Sequence, residues 1–130
     1  MADSPWNGTD PGDTQVLEVA IPGQSNYLEV LRGIAARVGH IALFTYDGVE
    51  DLALAITEAA SIAMRSGARR VRARLLVQDD GVAVELRGAG LNGNWPASGL
   101  RTNTSWQILE ALCDELRLLD DGVSFQQARR

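Results

Sequence analysis

The chain has 130 residues, 45% of them hydrophobic and 22% charged, which suits one globular domain long enough to bury a core without staples. Twelve arginines and no lysine stand against 17 acids, a net charge of -5, so the chain as a whole is expected to be repelled by nucleic acid and by anionic membranes. One cysteine, Cys113, and one histidine, His40, exclude an internal disulfide framework and leave no metal site to predict.

Residues 1–14 are rich in Asp, Gly, Pro and Thr, with Trp6 as the one large apolar residue. They read as a disordered leader ahead of a single domain spanning 15–130. No basic patch with an apolar run follows the first methionine, and no window nears the ~18 apolar residues of a membrane span. With a lone cysteine, these features place the chain in the cytoplasm.

Val16, Glu18 and Ala20 alternate with Leu17, Val19 and Ile21, the period of a strand, which Pro22-Gly23 ends. Ser25 suits the cap of a helix running to Val38, with Gly39 as its stop. Tyr27, Leu28, Leu31, Ile34, Ala35 and Val38 form its apolar stripe. Glu29, Arg32 and Ala36 share another face, either a solvated surface or a contact surface anchored by Arg32. Asp47 with Glu50 three positions on has the spacing of a capping box for a helix over 49–65. Leu52, Ile56, Ala59 and Ala63 form its core stripe; Asp51, Ala55, Glu58, Ile62 and Arg65 form a second face. Glu58 there is either a general base or a solvated acid.

A hairpin follows, with Val71, Ala73, Leu75 and Val77 inward, Arg70, Arg72 and Arg74 outward, and Asp80-Gly81 at the turn. Counting from that turn pairs Val77 with Val84 and Leu75 with Leu86. The arginine row lacks interleaved aromatics and reads as a solvated sheet face. Residues 87–104 are irregular and glycine-rich, the pattern of a functional loop or of disorder. Thr104 and Gln107 then form a capping box for a helix over 105–116 that buries Leu109, Leu112, Cys113 and Leu116. Asp121-Gly122 turns a closing hairpin. Mostly hairpin-linked strands with three helices make an α+β two-layer sandwich, its sheet mainly antiparallel with helices on one face.

In this order, three stretches resemble the anti-sigma factors of the RsbW/SpoIIAB type, small serine protein kinases with the histidine-kinase-like (GHKL) ATPase fold. They are LEVAIPGQSNYLEVLRGIAARVG, VEDLALAITEAASIAM and SWQILEALCDELRLLDDG. The resemblance covers roughly residues 15–127. It implies an anti-sigma factor of a bacterial stress response that sequesters an RNA polymerase sigma factor, is released by an anti-anti-sigma STAS-domain partner, and forms a homodimer. It places Arg32, with Glu29 beside it, in the partner-binding surface.

The resemblance also exposes departures. Glu58 stands at the family's base position, but Ile62 stands where the magnesium-binding Asn belongs, and isoleucine has no oxygen for a hard cation. Gly88 and Gly90 stand for the surviving glycines of the family's Asp-x-Gly-x-Gly nucleotide motif. Arg87 is read as replacing its Asp, and arginine has no acceptor for the adenine amino group. Around 102–106, where a second glycine box belongs, no glycine stands; Gly99-Leu100 is the nearest fragment. The expectation is a fold kept for partner switching, with Glu58 vestigial, no phosphorylation, no bound metal, and ATP and Mg needed only if the altered site still functions. The alternative is an active ATP/Mg-dependent serine kinase that phosphorylates its anti-anti-sigma partner.

Overall fold

A computed structural model of the chain describes residue 6, residues 16–91, residue 95 and residues 99–130, with Arg101 described in its backbone alone. Five strands form one sheet in the order β1-β2-β3-β5-β4, every neighbouring pair antiparallel. They are β1 (Val16–Pro22), β2 (Arg70–Gln78), β3 (Gly81–Ala89), β4 (Asp114–Leu119) and β5 (Gly122–Ala128). Three helices, α1 (Leu28–Ile41), α2 (Tyr46–Arg65) and α3 (Thr104–Leu112), contribute to a core shared with the sheet. This is the α+β sandwich that the order of elements predicts, and it is consistent with the histidine-kinase-like fold.

Strand alternation decides which side chains meet the helices. Ile21, Val71, Ala73, Leu75, Val82, Val84, Leu86, Val123 and Phe125 are all buried there. From α1, Leu31, Ala35 and Val38 complete the core, and from α2, Leu52, Ile56, Ala59 and Ala63. Each fully buried Leu or Ile contributes roughly 1.5–3 kcal/mol relative to exposure.

The hairpin register differs from the predicted one. Val77 pairs with Val82 and Leu75 with Val84. The sequence Asp79-Asp80-Gly81 offers two places for a two-residue turn, and the chain turns at Asp79-Asp80, with Gln78 opposite Gly81. The shift is two residues along the partner strand, an even number, so every side chain keeps its predicted face. The last hairpin slips likewise: Leu119 pairs with Gly122, and Asp120-Asp121 forms the turn.

The helix ends also move. A single 3-10 turn over Ser25–Tyr27 precedes α1, and no side chain caps it. Gly39 lies inside α1 and is buried; a Cβ there would sit 3.1 Å from Val49 Cγ2. It permits close approach of α1 to α2 rather than stopping the helix. Thr45, not Asp47, caps α2, its Oγ1 accepting from the Gly48 N–H at 3.2 Å. Asn103, not Thr104, caps α3, its Oδ1 accepting from the Trp106 N–H at 3.2 Å.

Helix α3 stops at Leu112, and the predicted last turn is instead the start of β4. Leu116 thus packs against the core from a strand. Residues 87–89 extend β3, and Leu100–Thr102 make one 3-10 turn, so the predicted irregular stretch is shorter at both ends. Of the predicted leader, Trp6 alone is described; the rest of that reading lies outside the described residues.

Candidate functional site

Helix α1 presents Glu29 and Arg32 one turn apart, both exposed. Arg32 Nη2 donates to Glu50 Oε2 on α2 at 3.2 Å, with the two side chains 62% and 45% exposed. The spacing from Asp47 predicts a capping role for Glu50, whereas in the structure it pairs with Arg32. One carboxylate held through one nitrogen leaves most of the guanidinium's five donors facing solvent. An exposed pair of this kind contributes at most about 1 kcal/mol, so it orients Arg32 without locking it.

The second face read on α2 is not a surface. Ala55 and Ile62 are 0% and 3% exposed. Arg65 Nη2 donates to Ser105 Oγ at 2.7 Å, which ties the end of α2 to the first turn of α3. Asp51 pairs with Arg130 at 3.6 Å. Glu58 is half-buried and has no hydrogen-bond or ion-pair partner among the described residues. Its neighbour Thr57 spends its hydroxyl on the Ala53 carbonyl at 2.9 Å. Among the described residues no group of three or more His, Cys, Asp or Glu is placed to hold a metal ion.

Gly88 and Gly90 have backbone and packing reasons to be glycine. A Cβ on Gly88 would lie 2.7 Å from Leu91 Cδ1 and 2.8 Å from Ala68 Cβ. Leu91 folds back over that gap and is itself 5% exposed. Gly90 takes φ +93, a left-handed conformation that side chains resist.

The Asp position read at Arg87 needs correction. Counted back from Gly88, the family's spacing falls on Leu86, which is fully buried under the helices. Arg87 points to the opposite face, where it pairs with Asp121 and, at 3.3 Å, with Glu85. Burial works against the Arg87 charge, but the two carboxylates outweigh it and hold its pKa above the ordinary arginine value. Neither Leu86 nor Arg87 offers an acceptor to an adenine amino group. Ile62, Leu86, Leu91, Trp95 and Trp106 belong instead to one buried apolar core. Among the described residues, those at these positions supply neither a magnesium ligand nor an adenine acceptor.

Two further features escape a pattern reading. Ile41, Leu43 and Tyr46 are 65%, 73% and 75% exposed around the corner between α1 and α2. Leu43 takes φ 65, a conformation that costs a non-glycine residue on the order of 1 kcal/mol. The apolar run Ile41-Ala42-Leu43-Phe44 is the sequence signal, but its period does not say that Ala42 and Phe44 turn in and the others out. Cys113 is half-buried at the end of α3. Desolvation by burial, reinforced by the Asp114 carboxylate and partly offset by Arg130, pushes its thiol up to about 12.

No helix among the described residues is long and apolar enough to cross a membrane. No family model matches the chain. An anti-sigma-F factor RsbW of Mycobacterium tuberculosis, in strains CDC 1551 / Oshkosh and ATCC 25618 / H37Rv, is 31% identical to it over 126 residues. That match spans 94% of this chain and 73% of the relative.

Proposed function

This chain belongs to the RsbW family of anti-sigma factors, and from that premise we propose that it holds an RNA polymerase sigma factor and yields it to an anti-anti-sigma partner with a STAS domain. The exchange runs by competition for one surface, without phosphorylation. Arg32 is the anchor of that surface and Glu29 its neighbour. A planar guanidinium can take a carboxylate of either competitor bidentately, so two partners can use one residue. The homodimer and the cytoplasmic setting belong to the same proposal.

The observation that supports a step without phosphate is the burial of Ile62 at 3% exposure. A kinase of this fold needs a metal ligand at that position. Here an apolar side chain fills it and is part of the core. The competing kinase reading keeps one observation, the half-buried Glu58 with no hydrogen-bond or ion-pair partner among the described residues.

Thermal unfolding with Mg-ATP separates the two. A ligand at a hundred times its Kd stabilises by about 2.7 kcal/mol. The expected result is no shift in Tm with Mg-ATP, together with sigma-factor capture by wild type and by Glu58→Ala alike. A clear shift, with phosphate transfer that E58A abolishes, would establish the kinase.

A further inference from the structure

The corner after α1 is a Schellman cap with an unusual residue in it. The Leu43 N–H donates to the His40 carbonyl at 3.1 Å and the Phe44 N–H to the Gly39 carbonyl at 3.0 Å, the two bonds of that motif. Its left-handed position is normally glycine, which has no Cβ to strain. Here Leu43 occupies it, with φ 65. Packing inside the chain does not offset the strain, because the side chain is 73% exposed. Ile41, Leu43 and Tyr46 are the three most exposed large apolar side chains among the described residues, and they fall within six positions. Folding alone favours glycine at position 43, so the leucine points to a contact outside the chain.

We propose that two copies of the chain meet at this corner about a twofold axis, with Arg37 of each paired to Asp47 of the other. Charge is what selects a second copy as the occupant. Arg37 lies one turn before Ile41 on the same flank of α1. Asp47 follows Tyr46 in the first turn of α2. Both are exposed, and neither side chain has a hydrogen-bond or ion-pair partner among the described residues. The other ionisable groups of the last two turns of α1 and the first two of α2 are His40, Glu50 and Asp51. Glu50 and Asp51 already pair with Arg32 and Arg130. The patch is thus an apolar centre with an unpaired cation on the α1 side and an unpaired anion on the α2 side. A twofold axis through the centre sets each cation against the other copy's anion, which is the self-complementarity of an isologous contact. A partner of one charge sign would leave one of the two unmatched.

This rests on the homodimer of the functional reading and gives it a surface. Ile41 stands nine positions after Arg32, two and a half turns on, and so on the opposite flank of α1. Two copies joined at the corner leave both Arg32 anchors open to partners.

The test is the mass of the full chain by sedimentation velocity across a wide range of concentration, with thermal unfolding read at the dilute end. Wild type is expected at the mass of two chains when concentrated and to approach one chain on dilution. Leu43→Gly should pair roughly tenfold or more weakly, with Tm at the dilute end unchanged or higher, because glycine relieves the strain. Arg37→Asp and Asp47→Arg should each weaken pairing by roughly tenfold or more, and the double variant R37D/D47R should recover it. Wild type at single-chain mass throughout overturns the proposal. So does L43G that pairs as tightly as wild type, or a double variant no tighter than the single ones. A Tm several degrees lower in L43G also overturns it, by assigning Leu43 to the chain's own fold. Should D47R unfold the chain, L43G decides alone. Sigma-factor capture separates this from the functional reading. L43G is expected to capture as wild type does, and capture lost while pairing persists would give the corner to the sigma factor and overturn the proposal. Wild type that captures no sigma factor contradicts the functional reading, and the mass measurement still decides this one.

Discussion

Replacing Ile62 by asparagine installs the residue type that the resemblance puts at the magnesium position, and it is expected to destabilise the protein rather than create a nucleotide site. Ile62 is 3% exposed in the middle of the helix that packs against α1, α3 and the sheet. The substitution loses the burial of an isoleucine side chain, roughly 1.5–3 kcal/mol. It also buries an amide where the surrounding core is apolar, at about 1–3 kcal/mol if left unpaired. Together the cost is about 2.5–6 kcal/mol, a large part of the roughly 5–15 kcal/mol that holds a domain folded. At roughly 3–5 °C per kcal/mol for a domain of this size, Tm should fall by about 8–30 °C. Urea unfolding followed by circular dichroism gives the free energy, and a thermal scan with Mg-ATP gives the binding. A stable I62N variant whose Tm rises with Mg-ATP would refute the reasoning, because it would show a nucleotide pocket waiting for one ligand.

Arg32→Ala should keep its stability within about 1 kcal/mol, because the pair with Glu50 is exposed, yet lose about 2 kcal/mol or more of partner affinity; pull-down of the sigma factor beside a urea titration separates the two effects. Cys113 should resist iodoacetamide at pH 8 in the native state and react once urea unfolds the chain, because its thiol pKa stands near 12 when folded and about 8.5 when unfolded. The same difference makes the unfolded state the one that releases a proton first, so this group's contribution to stability is complete below about pH 8.5 and declines as pH rises toward the folded value; a Cys113→Ala variant should lack that component of the decline.

The layers of this fold are legible because period and burial agree. Alternation along 71–77 and 82–86 names the core face correctly even with the wrong turn, since a slip of two preserves parity. Turn and cap positions are less legible because the chain offers neighbours of equal chemistry. Asp79-Asp80-Gly81 and Asp120-Asp121-Gly122 each allow two turns. Thr45 competes with Asp47, and Asn103 with Thr104, as cap. Leu112, Cys113 and Leu116 fit a helical stripe, yet Leu116 belongs to an irregular strand in which Glu115 takes φ 49. The candidate site was harder still. Ala55 and Ile62 look like one flank of a half-exposed helix, but α2 is packed on several sides and buries ten of its twenty residues. Small side chains at Ala53, Ala55, Ala59, Ala60 and Ala63 were the available sign of that crowding. The pairing of Arg32 with Glu50 joins two helices, and no local spacing encodes it.

The most direct test of the account is to load the chain with its sigma factor, titrate in the STAS-domain partner, and follow sigma release with and without radiolabelled Mg-ATP. The account expects superimposable release curves and no label on either partner. Label transferred to the STAS-domain protein, or a release curve that shifts when Mg-ATP is added, would contradict it.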